Sequence, residues 1–230
     1  MARVIVYGFQ RSTYVNIVRL VLTHKNVAFE FHDLESEMGS PSHLALHPFN
    51  RVPIFEHDGF RIYETSAIVA YIDEVFPEPL LTPADVRDRA RMNQWISSVS
   101  SYYYYWFIFH LTHERLVFPE LGIPSDERVV AKALPHIAEA LDVLERELAH
   151  GRQFLILDTP TLADFFLLPS VARVGDTKEG KRLLEGKERI ALWLSRMAAL
   201  PSVKRFQASR PPSQPIWHAR EWAVSHRPIA

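Results

Sequence analysis

Residues 48–71, PFNRVPIFEHDGFRIYETSAIVAY, constrain the fold of this chain more than any other stretch. They read in order as a loop, a Val52–Pro53 step, a short strand, an Asp58–Gly59 turn, a second short strand and a helix. The helix opens at an acid–hydroxyl pair, Glu64–Thr65. A helix N-terminus presents N–H groups without intrahelical partners and the positive end of the dipole, so it suits an incoming carboxylate. Val52–Pro53 is a candidate cis bond, which would turn the Val52 backbone outward to pair with an extended, peptide-like ligand.

The residues upstream complete a small α/β unit. Arg3–Tyr7 is a short apolar strand, and from Thr13 to about His24 the apolar residues Val15, Ile17, Val18, Leu20, Val21 and Leu22 fall at helical spacing. Phe29–Leu34 alternates, imperfectly, as a second strand. A βαβ unit is thus followed by a strand pair and a helix ending near Phe76. The segment PEPLLTPADVR then carries three prolines and reads as a linker. Beyond it the chain is helical throughout. Ala84 to about His113 is one long helix. Ser125 caps another, with Asp126 and Glu127 in its first turn, apolar residues from Leu134 to Leu148 on one side and Gly151 at its end. Thr161 and Asp164 stand at capping-box spacing, and Ile190, Trp193, Leu194 and Met197 mark an amphipathic helix stopped by Pro201.

Composition excludes several function classes. With 26 basic against 27 acidic residues there is no field to draw a nucleic acid backbone. The chain has no cysteine, which excludes disulfides, catalysis by a protein thiolate and cysteine-ligated metal. The start, MARVIVYGF, has no signal-peptide layout, and no run approaches the ~20 apolar residues of a membrane span, so cytoplasmic residence without a membrane partner is expected. His43 with His47, and His110 with His113, have metal-compatible spacing but no third ligand, so no metal is expected. GDTKEGK follows a phosphate-loop spacing only as far as its lysine; Arg182 stands where Ser or Thr is required, and a polar loop is the reading.

The block at 48–71 resembles the glutathione-binding half of glutathione transferases, whose pattern runs P-F-G-x-V-P-x-L, then D-G, then E-S-x-A-I. RARMNQW, PTLADF and WLSRMAALPSVKRF resemble the same family's helical domain, and the likeness extends to about residue 207, toward serine-type, bacterial-like members of the cytosolic family. The resemblance implies a thioredoxin-like α/β N-terminal domain (1–78), a linker (79–87) and an all-α C-terminal domain (88–209) that lines the electrophile pocket, with the ligand cleft between the domains. The tail, 210–230, lies beyond the likeness. It also implies a homodimer and a detoxification reaction, in which co-substrate glutathione attacks a small hydrophobic electrophile as its thiolate. Glutathione-dependent isomerisation, dehalogenation or peroxide reduction is the alternative within enzymes; a non-catalytic glutathione-binding scaffold is the alternative outside them.

Ser12 lies between the first strand and the first helix, where a serine is first of all an N-cap. Within the family pattern Y-G-x-x-x-S, found as Tyr7 to Ser12, it is the catalytic hydroxyl, a hydrogen-bond donor to the glutathione sulfur rather than a nucleophile. Moving a thiol pKa from about 8.5 to about 6.5 takes roughly 2.7 kcal/mol, within reach of one donor and a helix end. Thr13 and then Tyr7 are the other candidates for that contact. Glu64 and Thr65 match the pair that grips the γ-glutamyl end: a carboxylate for its ammonium, a hydroxyl and helix N–H groups for its carboxylate. Val52 offers its backbone to the cysteinyl part, and Arg51 is a candidate for a ligand carboxylate. Asn50 replaces the pattern's glycine and tolerates left-handed geometry. No basic residue stands near Gly39–Ser40, where the family carries one. Phe9, Tyr104, Tyr105 and Ile108, the last three within the aromatic run SYYYYWFIFH, are the substrate-binding residues that the likeness implies; such runs are more often core.

Overall fold

The structure, a computed structural model, describes residues 3–209. They form two compact units: residues 3–82 together with 199–209, and residues 83–198.

The first unit contains β1 (Val4–Gly8), α1 (Thr13–His24), β2 (Glu30–Asp33), α2 (Pro41–Leu46), β3 (Ile54–His57), β4 (Phe60–Tyr63) and α3 (Thr65–Val75). The sheet order is β2-β1-β3-β4. β1 runs parallel to β2, with Val6 opposite Phe31, and antiparallel to β3, with Val6 opposite Phe55. As a central strand it is buried on both faces, which is why Val4, Ile5 and Val6 are all apolar instead of alternating. Asp58 and Gly59 turn β3 into β4 with φ of 49° and 85°, the doubly positive geometry of a tight hairpin turn. The Asp58 carboxylate accepts the Arg3 N–H at 2.7 Å and pins the turn to the first strand. α1 presses on the end of β1 so closely that a Cβ on Gly8 would lie 2.4 Å from Val15 Cγ2. This contact leaves Phe9–Ser12 as a short, tightly held connection between strand and helix.

A buried ion pair closes the unit. Lys25, at the C-terminal end of α1, places its ammonium 2.7 Å from Asp73 of α3 and donates to the carbonyls of Phe76 and Pro79. α9 (Pro201–Ala208) also packs on α1, through Arg205 Nη2 on the Thr23 carbonyl at 3.1 Å and His24 Nδ1 against Ser202 Oγ at 2.8 Å. α9 therefore groups with the α/β unit, and the two units divide between residues 82 and 83. The tail expected at 210–230 lies outside the described residues.

The second unit begins with α4 (Val86–Ser98), capped by the Asp85 carboxylate, which accepts the N–H groups of Arg87 and Asp88. From Val99 to Val117 the helix continues in widened turns, in which the Tyr104 N–H reaches the Val99 carbonyl and the Phe118 N–H the His113 carbonyl. The expected single helix thus starts two residues later and runs further than His113, with i→i+5 bonding over its second half. α5 (Glu127–Glu147) follows, unbroken at Pro135. Its cap is Asp126, not the expected Ser125: the Asp126 carboxylate accepts the Arg128 N–H at 2.9 Å, while the Ser125 hydroxyl donates to the Glu114 carbonyl. The Glu114 carboxylate takes the Asp126 N–H, so the aspartate is held in the capping position from behind.

α6 (Leu162–Gly175), α7 (Lys178–Leu184) and α8 (Glu188–Ala199) complete the unit, with α6 as its core. The capping box at Thr161 and Asp164 forms as its spacing predicts. Asp164, fully buried, accepts the N–H and hydroxyl of Thr161, the Leu155 N–H and the indole N–H of Trp193. Burial pushes this carboxyl above its ordinary range, against the donors that pull it down.

Candidate active site

The connection Phe9–Ser12 is a turn closed by the Ser12 N–H on the Phe9 carbonyl at 3.1 Å. Ser12 is the N-cap of α1, with its Oγ accepting the Val15 N–H at 3.3 Å. A hydroxyl that accepts in this way still carries its own hydrogen, so capping the helix leaves a donor at the helix N-terminus. Ser12 is half-buried. Its neighbour Thr13, the first residue of α1, is buried. The Tyr7 hydroxyl donates to Glu56 Oε2 at 3.3 Å. Burial, and next the Glu56 carboxylate, raise its pKa above that of an ordinary phenol, so Tyr7 is both committed and reluctant to ionise.

The loop from Gly39 to Pro53 is organised by His43, which has no exposed surface. Its Nδ1 accepts the Gly39 N–H at 3.1 Å, so the proton sits on Nε2, which donates to the Arg51 carbonyl at 3.0 Å. A neutral imidazole thus bridges the two ends of the loop. Asn50 adopts φ 53°, as its place in the glycine position predicts. Arg51 is exposed, Val52 is half-buried and the Val52–Pro53 bond is cis.

α3 begins at Thr65, with Glu64 as N-cap at φ 71° and ψ 114°. That backbone region is sparsely populated for a residue with a Cβ and costs about 1–3 kcal/mol. The Glu64 carboxylate makes no capping bond and is exposed, while Thr65 is buried at 6 % exposure. The N–H groups of the first turn have no carbonyl within α3 to accept them. A strained, exposed carboxylate therefore stands beside a helix end that attracts anions, which is the arrangement a zwitterionic ligand head group requires.

In the second unit the aromatic run divides by face. Tyr103 and Phe107 are core residues, with the Tyr103 hydroxyl donating to the Ala140 carbonyl at 2.8 Å. Ile108 is also interior, at 3 % exposure. Tyr104 is half-buried, edge-on to Phe109 at 5.1 Å, and Tyr105 is 46 % exposed beside His110. Of the three residues expected here for a substrate, two present surface and one does not. Phe9, in the first unit, is half-buried.

His43 carries no sequence signal for this role, because its clamp joins residues that become neighbours only on folding. Gln10, Asn16 and Arg19, which surround the turn before Ser12, also carried no sequence signal beyond polar residues on an otherwise apolar helix.

Comparison with known proteins bears on both units. The N-terminal-domain model of glutathione S-transferases matches residues 6–80, and the C-terminal-domain model matches residues 127–196. The chain is 29% identical over 211 residues to glutathione S-transferase F6 of Arabidopsis thaliana, covering 89% of this chain and 99% of that one. It is 27% identical over 194 residues to glutathione S-transferase F10 of the same plant, covering 82% and 89%. Among solved structures, glutathione S-transferase III in its apo form superposes with a TM-score of 0.83 at 28% identity, covering 93% of this chain and 99% of that one.

Proposed function

The chain belongs to the glutathione S-transferase family and works as a glutathione transferase, and we propose that Ser12 is the hydroxyl that activates the glutathione sulfur. The observation that carries this reading is the division of labour among three hydroxyls. Tyr7 is spent on Glu56 and Thr13 is buried, whereas Ser12 accepts a backbone N–H and retains its own proton to donate. Donation to sulfur, at the positive end of α1, favours thiolate over thiol. The thiol proton passes to solvent, the sulfur forms a bond to the electrophile's carbon, and the displaced electron pair leaves with the leaving group or is protonated.

Glutathione itself is assigned to the first unit. The Glu64 carboxylate takes the γ-glutamyl ammonium, and the Thr65 end of α3 takes the neighbouring carboxylate. The Val52 backbone pairs with the cysteinyl peptide, and Arg51 takes a terminal carboxylate. For a small hydrophobic electrophile the reading assigns Phe9, Tyr104 and Tyr105, with Ile108 buried in the core of its unit. Homodimeric assembly, cytoplasmic residence and a role in detoxification belong to the same reading.

The test is a titration of glutathione into the wild type and Ser12→Ala, following thiolate absorbance near neutral pH alongside calorimetric binding. Thiolate in the wild type, lost in Ser12→Ala with binding retained, is expected. Activity toward a reactive aryl halide near pH 7 should then fall by up to about twenty-five-fold, the ratio of thiolate fractions for pKa values of about 6.5 and about 8.5. Binding without thiolate in the wild type would instead make the protein a glutathione carrier.

A further inference from the structure

Gln10, two residues before Ser12, is gripped twice from within α1. The Asn16 side-chain amide donates to the Gln10 carbonyl at 3.1 Å, and Arg19 Nη1 donates to the Gln10 side-chain oxygen at 2.5 Å. The Asn16 backbone N–H meanwhile bonds the Ser12 carbonyl at 3.0 Å. One residue of α1 therefore fixes both a carbonyl within the turn and the carbonyl of the serine that ends it. Asn16 and Arg19 are buried, at 6 % and 5 % exposure.

A guanidinium is costly to bury, and Arg19 is held in a specific setting. Its Cζ lies 4.7 Å from the ring centre of Phe31 on β2 and 5.2 Å from that of Phe206 on α9, distances at which ring faces attract a cation. Arg19 Nη1 also lies 3.4 Å from Asn16 Oδ1. The three polar side chains thus form one set: rings fix Arg19, Arg19 and Asn16 fix Gln10, and Gln10 lies in the turn that presents Ser12.

We propose that Arg19 is a positioning residue that acts through the Gln10 side chain to aim the Ser12 hydroxyl. This rests on the assignment of Ser12 above. A hydrogen bond weakens steeply as its angle closes toward about 120°. A serine whose preceding turn can rock therefore still caps α1 but no longer stabilises a sulfur anion. The consequence falls on the thiolate and not on glutathione affinity, because the residues assigned to the ligand's ends, Arg51, Val52, Glu64 and Thr65, lie elsewhere in the unit.

The experiment is a double-mutant cycle on Gln10→Ala and Arg19→Lys in the full chain, with Ser12→Ala measured beside it. The readouts are the apparent pKa of bound glutathione by thiolate absorbance, the dissociation constant, and kcat against KM. Each single variant is expected to raise the thiol pKa by about half to one unit, a three- to tenfold loss of thiolate below the pKa. The dissociation constant should change by less than about threefold, with the loss appearing in kcat. Arg19→Lys should add nothing further once Gln10 is alanine, because the two act through one contact. Gln10→Ala leaves the buried side chains in place, so it decides the matter by itself should Arg19→Lys fail to fold. An unchanged pKa in Gln10→Ala, or fully additive effects in the cycle, overturns the positioning role while the Ser12 assignment stands. Full thiolate in Ser12→Ala overturns the Ser12 assignment and this proposal with it.

Discussion

Replacing Lys25 by methionine should be among the most damaging single substitutions in the first unit. The ammonium has no exposed surface and makes contacts to Asp73 Oδ1 at 2.7 Å, the Phe76 carbonyl at 2.5 Å and the Pro79 carbonyl at 2.8 Å. Those contacts use the donors an ammonium possesses. Asp73, itself 2 % exposed, would keep the Leu81 N–H at 3.1 Å but face no cation. A buried charge that loses its partner costs about 3–5 kcal/mol, against a typical total stability of about 5–15 kcal/mol. At about 2–4 °C per kcal/mol for a chain of this size, the melting temperature should fall by roughly 6–20 °C. Circular dichroism melts and urea titrations of Lys25→Met, Asp73→Leu and the double variant measure the coupling directly. The double variant should be distinctly more stable than the two single losses summed, since it leaves no buried charge alone. Strict additivity, or a loss below about 1 kcal/mol in Lys25→Met, would refute the claim that the charges depend on one another.

Glu64→Gly should separate stability from binding. Glycine adopts φ 71° without strain, so the variant should unfold at equal or higher urea concentration, while losing glutathione affinity by about tenfold or more; calorimetry and urea titration of the same preparation check both. Stability should also fall with acid. Burial is the largest cause that lowers the pKa of His24, His47, His110 and His113, and His113 is brought down to about 4. An unfolded histidine titrates near pH 6.5, so at intermediate pH the unfolded chain holds more protons and acid favours it. The contribution is complete above about pH 6.5 and is lost as pH falls toward the folded values. Urea midpoints between pH 7 and pH 4 should trace this loss, and His113→Gln should flatten the slope; a midpoint that rises on acidification would contradict the assignment.

The sequence made the α/β unit legible where local chemistry and tertiary demand coincide. Val15, Ile17, Val18, Val21 and Leu22 mark α1 because each is buried, and Thr161 with Asp164 marks α6 because a capping box is a local structure. Asn50 could be read as left-handed because few residues other than glycine tolerate that region. What escaped reading depends on partners brought from afar. Asp126 displaces Ser125 as a cap because Glu114 holds its N–H. The widened helix is a choice of hydrogen-bond register, which an apolar run such as YYYYWFIF does not encode. His43 and Lys25 show no periodicity at all, because what fixes them is the geometry of carbonyls and amides elsewhere in the unit.

Under the Ser12 assignment, the energetics leave little margin for a loose hydroxyl. Taking a thiol from about 8.5 to about 6.5 requires roughly 2.7 kcal/mol. A hydrogen bond to a charged acceptor contributes about 1.5–3 kcal/mol, and a helix N-terminus about 0.3–1 kcal/mol when exposed. At its well-aligned upper end the donor meets the demand by itself. At its lower end the two together fall short. The difference between those ends is one of geometry, not of residue type, since serine is present in both cases. Here the serine's backbone is fixed on both sides, its carbonyl by the Asn16 N–H of α1 and its N–H by the Phe9 carbonyl across the turn, while its Oγ accepts the Val15 N–H. On that assignment, rigidity of the connection would decide whether so weak an acid as a serine hydroxyl suffices, and the buried Asn16 and Arg19 side chains hold Gln10 within it.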